Sequence, residues 1–409
     1  MSPMSSKLRT SVIAVLWILT RVMMVAQLGY WRAGTHVNYE DVNVFQSWAG
    51  RIVSTHALPS EPAWQYPPGA VLVFLLPRLT SHYGAGFVAM VLTADLVTIV
   101  ALVLLARRTD RMHGVWLWLL AIPTLGTLPL IRFDMIPTAI AVVALLLATT
   151  SVKRFGFVVG VGTAVKAWPV LLLLAFRDRT KVTVATITAA VTGLAFLIVS
   201  WLTLGNTFGF LQHQTGRGLE LEAVGATPWY VIQAVIGRPV HWAPKNGSLE
   251  ILGPMAAIAA SILHYTMYLL VIAVLAWWVT WYRRGPVSPS LGCDAVFTAI
   301  LLFVVVSEVL SPQYMIWLIG VGAVAVTSPL CRVRRPVALV AASVLVTRAL
   351  LACWGDLVSN GANGAYLLTI RNTLLLVAAV DAALIMWRVI RSTPALDKKG
   401  MLEPAVGQS

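Results

Sequence analysis

Residues 85–106 read AGFVAMVLTADLVTIVALVLLA, and Arg107 and Arg108 follow at once. At ~1.5 Å per residue such a run matches the ~30 Å hydrocarbon core of a bilayer. A basic stop marks the end that stays in the cytoplasm. Working outward, similar runs fall near 12–30, 115–131, 135–150, 182–204, 255–282, 291–308, 312–330, 337–354 and 368–388. With 85–106 they predict about ten full crossings and two cytoplasmic termini. Two further apolar stretches, 67–80 and 155–176, break the alternation. Pro67-Pro68 opens the first; Pro169 bends the second, which carries Lys166 in its middle. Both are expected to be re-entrant, since broken backbone is tolerated at membrane depth where protein or a wet cavity surrounds it. Full crossings there would raise the count to about twelve. The expected fold is all-α and polytopic, one integral membrane domain over 1–390 with a disordered cytoplasmic tail over 391–409.

Composition agrees. The chain is 58% hydrophobic and 11% charged, with mean hydropathy +0.81, where a soluble domain carries about a quarter charged residues. No small-residue cleavage site follows Lys7 and Arg9, so the first run reads as a true span. Cys293, Cys331 and Cys353 stand at unrelated spacings and suggest neither a disulfide framework nor a metal knuckle. The net charge of +14 sits mostly in short loops such as Arg107–Arg111, Arg177–Lys181 and Arg332–Arg335. That distribution sets topology and meets anionic headgroups; it is no nucleic-acid footprint. The longer loops, about 30–66 and 205–254, are nearly balanced in charge and belong outside the cell.

On this map the unusual residues share the extracytoplasmic side. Glu40-Asp41 are solvated loop acids or a general base beside an acceptor hydroxyl. Arg132-Phe133-Asp134 is an interfacial ion pair or a cradle for a lipid phosphate. Lys166, in the middle of the 155–176 stretch that cytoplasmic loops flank, is costly inside a membrane unless it snorkels or is paired, so a functional role is its default reading. His213, Arg217, Glu220 and Glu222 crowd ten residues loosened by Gly216 and Gly218, a substrate-facing segment or an ordinary solvated loop. Glu308 and Arg348 lie near helix ends and could pair. Trp64, Trp229 and Trp242 mark the interface or stack on sugar rings. One-sided polar residues favour an enzyme on a lipid-linked substrate over a transporter, which more often places its site at the midplane between related halves.

In order, Tyr66-Pro67-Pro68, Arg132-Phe133-Asp134, Lys166-Ala167-Trp168-Pro169, Arg217-Gly218-Leu219-Glu220-Leu221-Glu222 and Leu310-Ser311-Pro312-Gln313-Tyr314 carry a resemblance over about residues 12–390. The chain resembles the polyprenyl-phosphate-sugar-dependent glycosyltransferases of the integral-membrane C-type fold. More narrowly it resembles family 87, the actinobacterial mannosyltransferases of phosphatidylinositol mannoside, lipomannan and lipoarabinomannan synthesis. The resemblance implies transfer of mannose, with inversion, from a polyprenyl phosphate to a lipid-linked mannoside at the outer face of the cell membrane. It implies an acidic base in the first external loop, for which Asp41 matches best and Glu40 is the alternative. Lys166, Arg132 and Arg217 become candidates for the donor phosphate. Asp134, His213, Glu222, Trp64, Tyr66 and Gln313 become further substrate contacts. No cofactor is implied; whether Glu40 and Asp41 hold a divalent cation stays open. Related sequences often carry lysine where this one has Glu308, which puts the donor contacts there in question. An arabinofuranosyl donor is the alternative within the fold, and a lipid or sugar transporter the alternative outside it.

Overall fold

The computed structural model describes residues 6–33, 40–212, 217–284 and 291–393. Six described helices are long and apolar enough to cross a membrane, within Ser6–Ala33, Tyr83–Thr109, Arg179–Thr203, Pro254–Tyr282, Arg334–Ala352 and Ala362–Ser392. The expected crossings at 115–131, 135–150, 291–308 and 312–330 correspond to shorter helices, His113–Thr124, Met135–Leu147, Leu291–Val306 and Tyr314–Thr327. Apolar on every side, the last three of these form the buried centre. The long helices ring them. Arg179–Thr203 and Pro254–Tyr282 bury only 11% and 6% of their central windows, leaving leucines, isoleucines and valines for lipid.

Glycine sets one of the tightest contacts. A Cβ on Gly156 or Gly160 would lie 2.5 or 2.7 Å from the carbonyl oxygens of Ala185 and Ala189. The four-residue spacing thus lets helix Val152–Val165 lie directly on Arg179–Thr203, as small-residue pairs do in membranes. The stretch 155–176 breaks where proline requires. The helix stops at Val165, Lys166 is extended (φ −153°), and a 3-10 helix runs back over Trp168–Ala175. Lys166-Ala167 is therefore the tip of a helical hairpin.

An unexpected polar clamp holds the first span. Asp95, 2% exposed, accepts from Arg21 Nε (2.7 Å), Arg21 Nη2 (3.0 Å), Trp17 Nε1 (2.8 Å) and Trp118 Nε1 (2.7 Å). Both carboxylate oxygens are saturated, so the charge is buried with the partners it needs.

The loops read from 30–66 and 205–254 are more ordered than expected. Residues Glu40–Thr55 form a helix, burying Val42, Phe45, Ala49 and Ile52 on one face. Trp48 donates to Glu61 (2.5 Å) and Arg51 pairs with Glu61, tying the helix to the next turn. The second segment holds helix Thr227–Ile236 and an antiparallel hairpin, Trp242–Lys245 with Ser248–Ile251. Gln65 reaches across to the Asn246 carbonyl at 2.9 Å, so the two segments form one cap. The expected tail beyond 393 lies outside the described residues. Helix Ala362–Ser392 continues two residues past the expected domain end at 390.

Candidate active site

The Tyr66-Pro67-Pro68-Gly69 turn is where the cap meets the helices. A Cβ on Gly69 would lie 2.6 Å from the Ala164 carbonyl oxygen, so only glycine allows this approach. The contact brings Tyr66 beside the hairpin tip. There Lys166 Nζ lies 2.5 Å from Asp134 Oδ1, and the same oxygen accepts from Trp317 Nε1 at 2.8 Å. Rings surround the ammonium: Phe133 at 4.6 Å, Trp317 at 4.7 Å, Tyr314 at 5.8 Å and Tyr66 at 5.9 Å to their centroids. Trp317 is sandwiched between Tyr314 (4.0 Å) and Trp168 (5.3 Å), which fixes its indole. A lysine so paired and caged is desolvated yet satisfied. Lys166 and Asp134, both expected to touch substrate, spend their charges on each other.

Asp41 lies in the first turn of helix Glu40–Thr55 and pairs with Arg132. Each side chain is about a third exposed (33% and 28%), against 2% for Asp134 and 4% for Glu222. Asp41 is thus more exposed than Asp134 or Glu222. Tyr66 joins the groups electrically. Burial raises its hydroxyl pKa first, and Asp134 and Asp41 add to this, while Arg132 and Arg217 oppose it. Two carboxylates and two guanidiniums therefore act on one phenol.

The Arg217–Glu222 segment is held on both sides. Glu220 N–H donates to the Glu308 carbonyl (3.0 Å), and Glu220 Oε2 accepts from Leu310 N–H (2.6 Å). Burial, then Glu222, pushes the Glu220 carboxyl up to about 7, with Arg217, the Leu310 N–H and Arg371 opposing. Glu222 accepts from Arg371 Nη1 at 2.8 Å, and its carbonyl accepts from Arg371 Nη2 at 2.6 Å. Asn372 adds bonds to Ala223 (3.1 Å) and Thr227 (2.9 Å). Glu222, expected to bind substrate, is buried and pairs with Arg371, which is fully enclosed and needs its charge.

Several other expectations change. Trp64 is 1% exposed, packed edge-on against Trp48 and Tyr66, and supports the tyrosine with no face open to a sugar. Glu308 meets His264 (3.4 Å) and not Arg348, which lies beside Gly126. His213 and the side chain of Glu40 lie outside the described residues. Among the described residues no three His, Cys, Asp or Glu side chains gather to hold a metal ion.

Five buried polar atoms near this cluster have no hydrogen-bond partner among the described residues: Arg132 Nε, Arg217 Nε, Gln313 Oε1, Trp168 Nε1 and Thr163 Oγ1. Buried polar groups are seldom left so, and a concentration of them is what a polar ligand would satisfy. Three are N–H donors, two of them on guanidiniums. Sequence reasoning missed Arg371, Asn372 and the ring cage. Phe133 and Trp317 stood in plain view, but nothing in their spacing from Lys166 says that they meet it.

No curated protein matches the chain. Among solved structures it is similar to ArnT from Cupriavidus metallidurans, crystallised with undecaprenyl phosphate, at 15% identity and a TM-score of 0.47 over 93% of this chain and 77% of that one. The model of glycosyltransferase family 87 matches residues 64–312, more than half of the length. That stretch contains Tyr66, Arg132, Asp134, Lys166, Arg217 and Glu220, the residues that meet at the hairpin tip and the cap. The chain belongs to glycosyltransferase family 87.

Proposed function

We propose that this glycosyltransferase moves mannose from polyprenyl-phosphate-mannose to a lipid-linked mannoside, of phosphatidylinositol mannoside or lipomannan type, at the extracytoplasmic face. The carrying observation is an accessible carboxylate, Asp41, paired with Arg132, whose Nε and that of Arg217 are unspent buried donors. A lipid phosphate is a competent leaving group, so the protein needs to position two lipids, take one proton and neutralise one phosphate.

In this reading Arg132 and Arg217 hold the donor phosphate. The incoming phosphate competes with Asp41 for Arg132 and loosens the carboxylate as the donor seats. Asp41 then takes the proton of the acceptor hydroxyl while the hydroxyl oxygen attacks the anomeric carbon. The bond from that carbon to the phosphate oxygen breaks, the electron pair leaves with polyprenyl phosphate, and the anomeric configuration inverts. Lys166 stays with Asp134 and keeps the aromatic wall in place. Family membership favours this enzyme over the transporter alternative.

The test is sugar transfer in membranes, with radiolabelled polyprenyl-phosphate-mannose and a phosphatidylinositol mannoside acceptor. Asp41→Asn is expected to lose about 10²–10⁴-fold in kcat, the range of general-base catalysis, while inserting normally. Wild-type rates in Asp41→Asn would refute Asp41 as base, and Glu40→Gln would be measured next. Transfer from polyprenyl-phosphate-arabinofuranose but not from the mannosyl donor would replace mannose by arabinose.

A further inference from the structure

Helix Pro254–Tyr282 is lined with exposed apolar residues, Ile258, Ile262, Leu269 and Ile272 among them. His264 and Tyr268 interrupt this face one turn apart, with the Tyr268 hydroxyl 3.0 Å from His264 Nε2 and Tyr268 54% exposed. His264 Nδ1 lies 3.4 Å from Glu308 Oε1. A tyrosine and a histidine on a membrane-facing helix, tied to a carboxylate in the turn after helix Leu291–Val306, are costly without a use, and an ionisable group there is a functional site by default.

Its position says what the use is. The Glu308 carbonyl accepts from Glu220 N–H, and Glu220 is within the field of Arg217. Glu308 therefore joins the chain to the segment that carries Arg217 and Glu220. The internal bonds engage only part of its capacity: a tyrosine hydroxyl bonds up to three partners, and a carboxylate accepts about four bonds. The Glu308 carboxylate, reached through His264 from the exposed Tyr265 (67%) and Tyr268, pairs hydrogen-bond acceptors with aromatic side chains, a combination that suits a sugar. The Glu308 charge disfavours a phosphate at the same place.

We propose that Tyr268, His264 and Glu308 form a subsite for the sugar hydroxyls of a membrane-embedded glycolipid substrate, bound on its way to the arginine-lined site. The inference rests on the proposed lipid-linked transfer. Donor and acceptor both carry such sugars, and the experiment separates them.

The full chain in nanodiscs would be assayed as wild type, Tyr268→Phe, His264→Gln and Glu308→Gln, varying donor and acceptor separately. Each variant is expected to raise KM for one of the two lipids by about three- to tenfold, the worth of one hydrogen bond, with kcat within about twofold. The lipid whose KM moves is the one bound. Unchanged KM values for both lipids in all three variants would overturn the subsite. Thermal shifts give a readout independent of turnover. Polyprenyl-phosphate-mannose should raise the wild-type Tm more than polyprenyl phosphate does, or phosphatidylinositol mannoside more than phosphatidylinositol, and the variants should lose that difference. Absence of transfer by wild type with the sugar-dependent shift intact would refute the function and keep the subsite. Equal shifts with and without sugar would remove the subsite whatever the activity.

Discussion

Asp95→Asn tests whether the first span is held by the buried clamp. Asp95 accepts four bonds from Arg21, Trp17 and Trp118. Converting either oxygen to an amide turns it toward one guanidinium N–H and one indole N–H, so two bonds become donor–donor contacts. Interhelical hydrogen bonds in membranes average only ~0.6 kcal/mol, so bond loss alone would cost little over ~1 kcal/mol. The charge decides the magnitude. Arg21, at 3% exposure, is left without its counterion, and stranding one member of a buried pair costs about 3–5 kcal/mol. Read as apparent Tm at fixed scan rate, because large membrane proteins unfold irreversibly, the expected loss is roughly 3–10 °C. Arg21→Met/Asp95→Leu removes both charges and leaves only the two indoles orphaned. Its loss should fall short of the summed single losses of Arg21→Met and Asp95→Leu by about 2 kcal/mol or more. A shift under about 1 °C for Asp95→Asn, or strict additivity in the cycle, would refute the clamp.

Glu220 keeps its proton to about pH 7 in the folded chain, while an unfolded carboxyl releases it near its ordinary value of 4.5. The folded state then binds more protons, so stability should fall as pH rises from about 5 to 7. Glu220→Gln should flatten that part of the Tm–pH curve, and an unchanged slope would exclude Glu220 as its source. Arg217→Ala is expected to raise KM for the donor about tenfold or more by removing a charge-assisted contact; unchanged donor kinetics would take Arg217 out of the phosphate site. Lys166→Arg conserves charge but puts a planar fork where four rings enclose a compact ammonium. It should lower Tm and activity together, and wild-type behaviour would show that the cage is loose.

The sequence made visible what depends on neighbours along the chain. The 85–106 run is helix Tyr83–Thr109, and Pro169 breaks the backbone just after Lys166. Tyr66 lies in the electrostatic reach of Arg132 and Asp134, and Lys166, read at the middle of a re-entrant stretch, meets Asp134. Helix Glu40–Thr55 was legible too: Val42, Phe45, Ala49 and Ile52 have helical spacing. Balanced charge drew attention to the loop around it instead. Pairs between distant positions were not legible. Arg21 and Asp95 are 74 residues apart, and Glu222 and Arg371 are 149 apart. A charge does not name its distant partner, so the anchoring of Glu222 by Arg371 was not legible in its own segment. Burial decided Trp64 likewise: an interfacial tryptophan and a core one look alike until the turn around it is folded.

The Glu222–Arg371 bond bears on how such enzymes can be recombined. Residues 64–312 carry the family's match, yet the bond runs from that stretch into the last helix, 59 residues beyond its end. Asp41 precedes the match, and Trp317 and Asn372 follow it. The recognisable stretch is therefore no portable cassette. A chimera that swaps 64–312 between relatives sets an incoming loop against a resident helix never fitted to it, and it strands an arginine in the interior wherever the incoming loop lacks the matching acid. Exchanges that preserve folding must move helix Glu40–Thr55 and the final helix together with the middle, which makes nearly the whole chain the smallest unit that evolution or an engineer can trade.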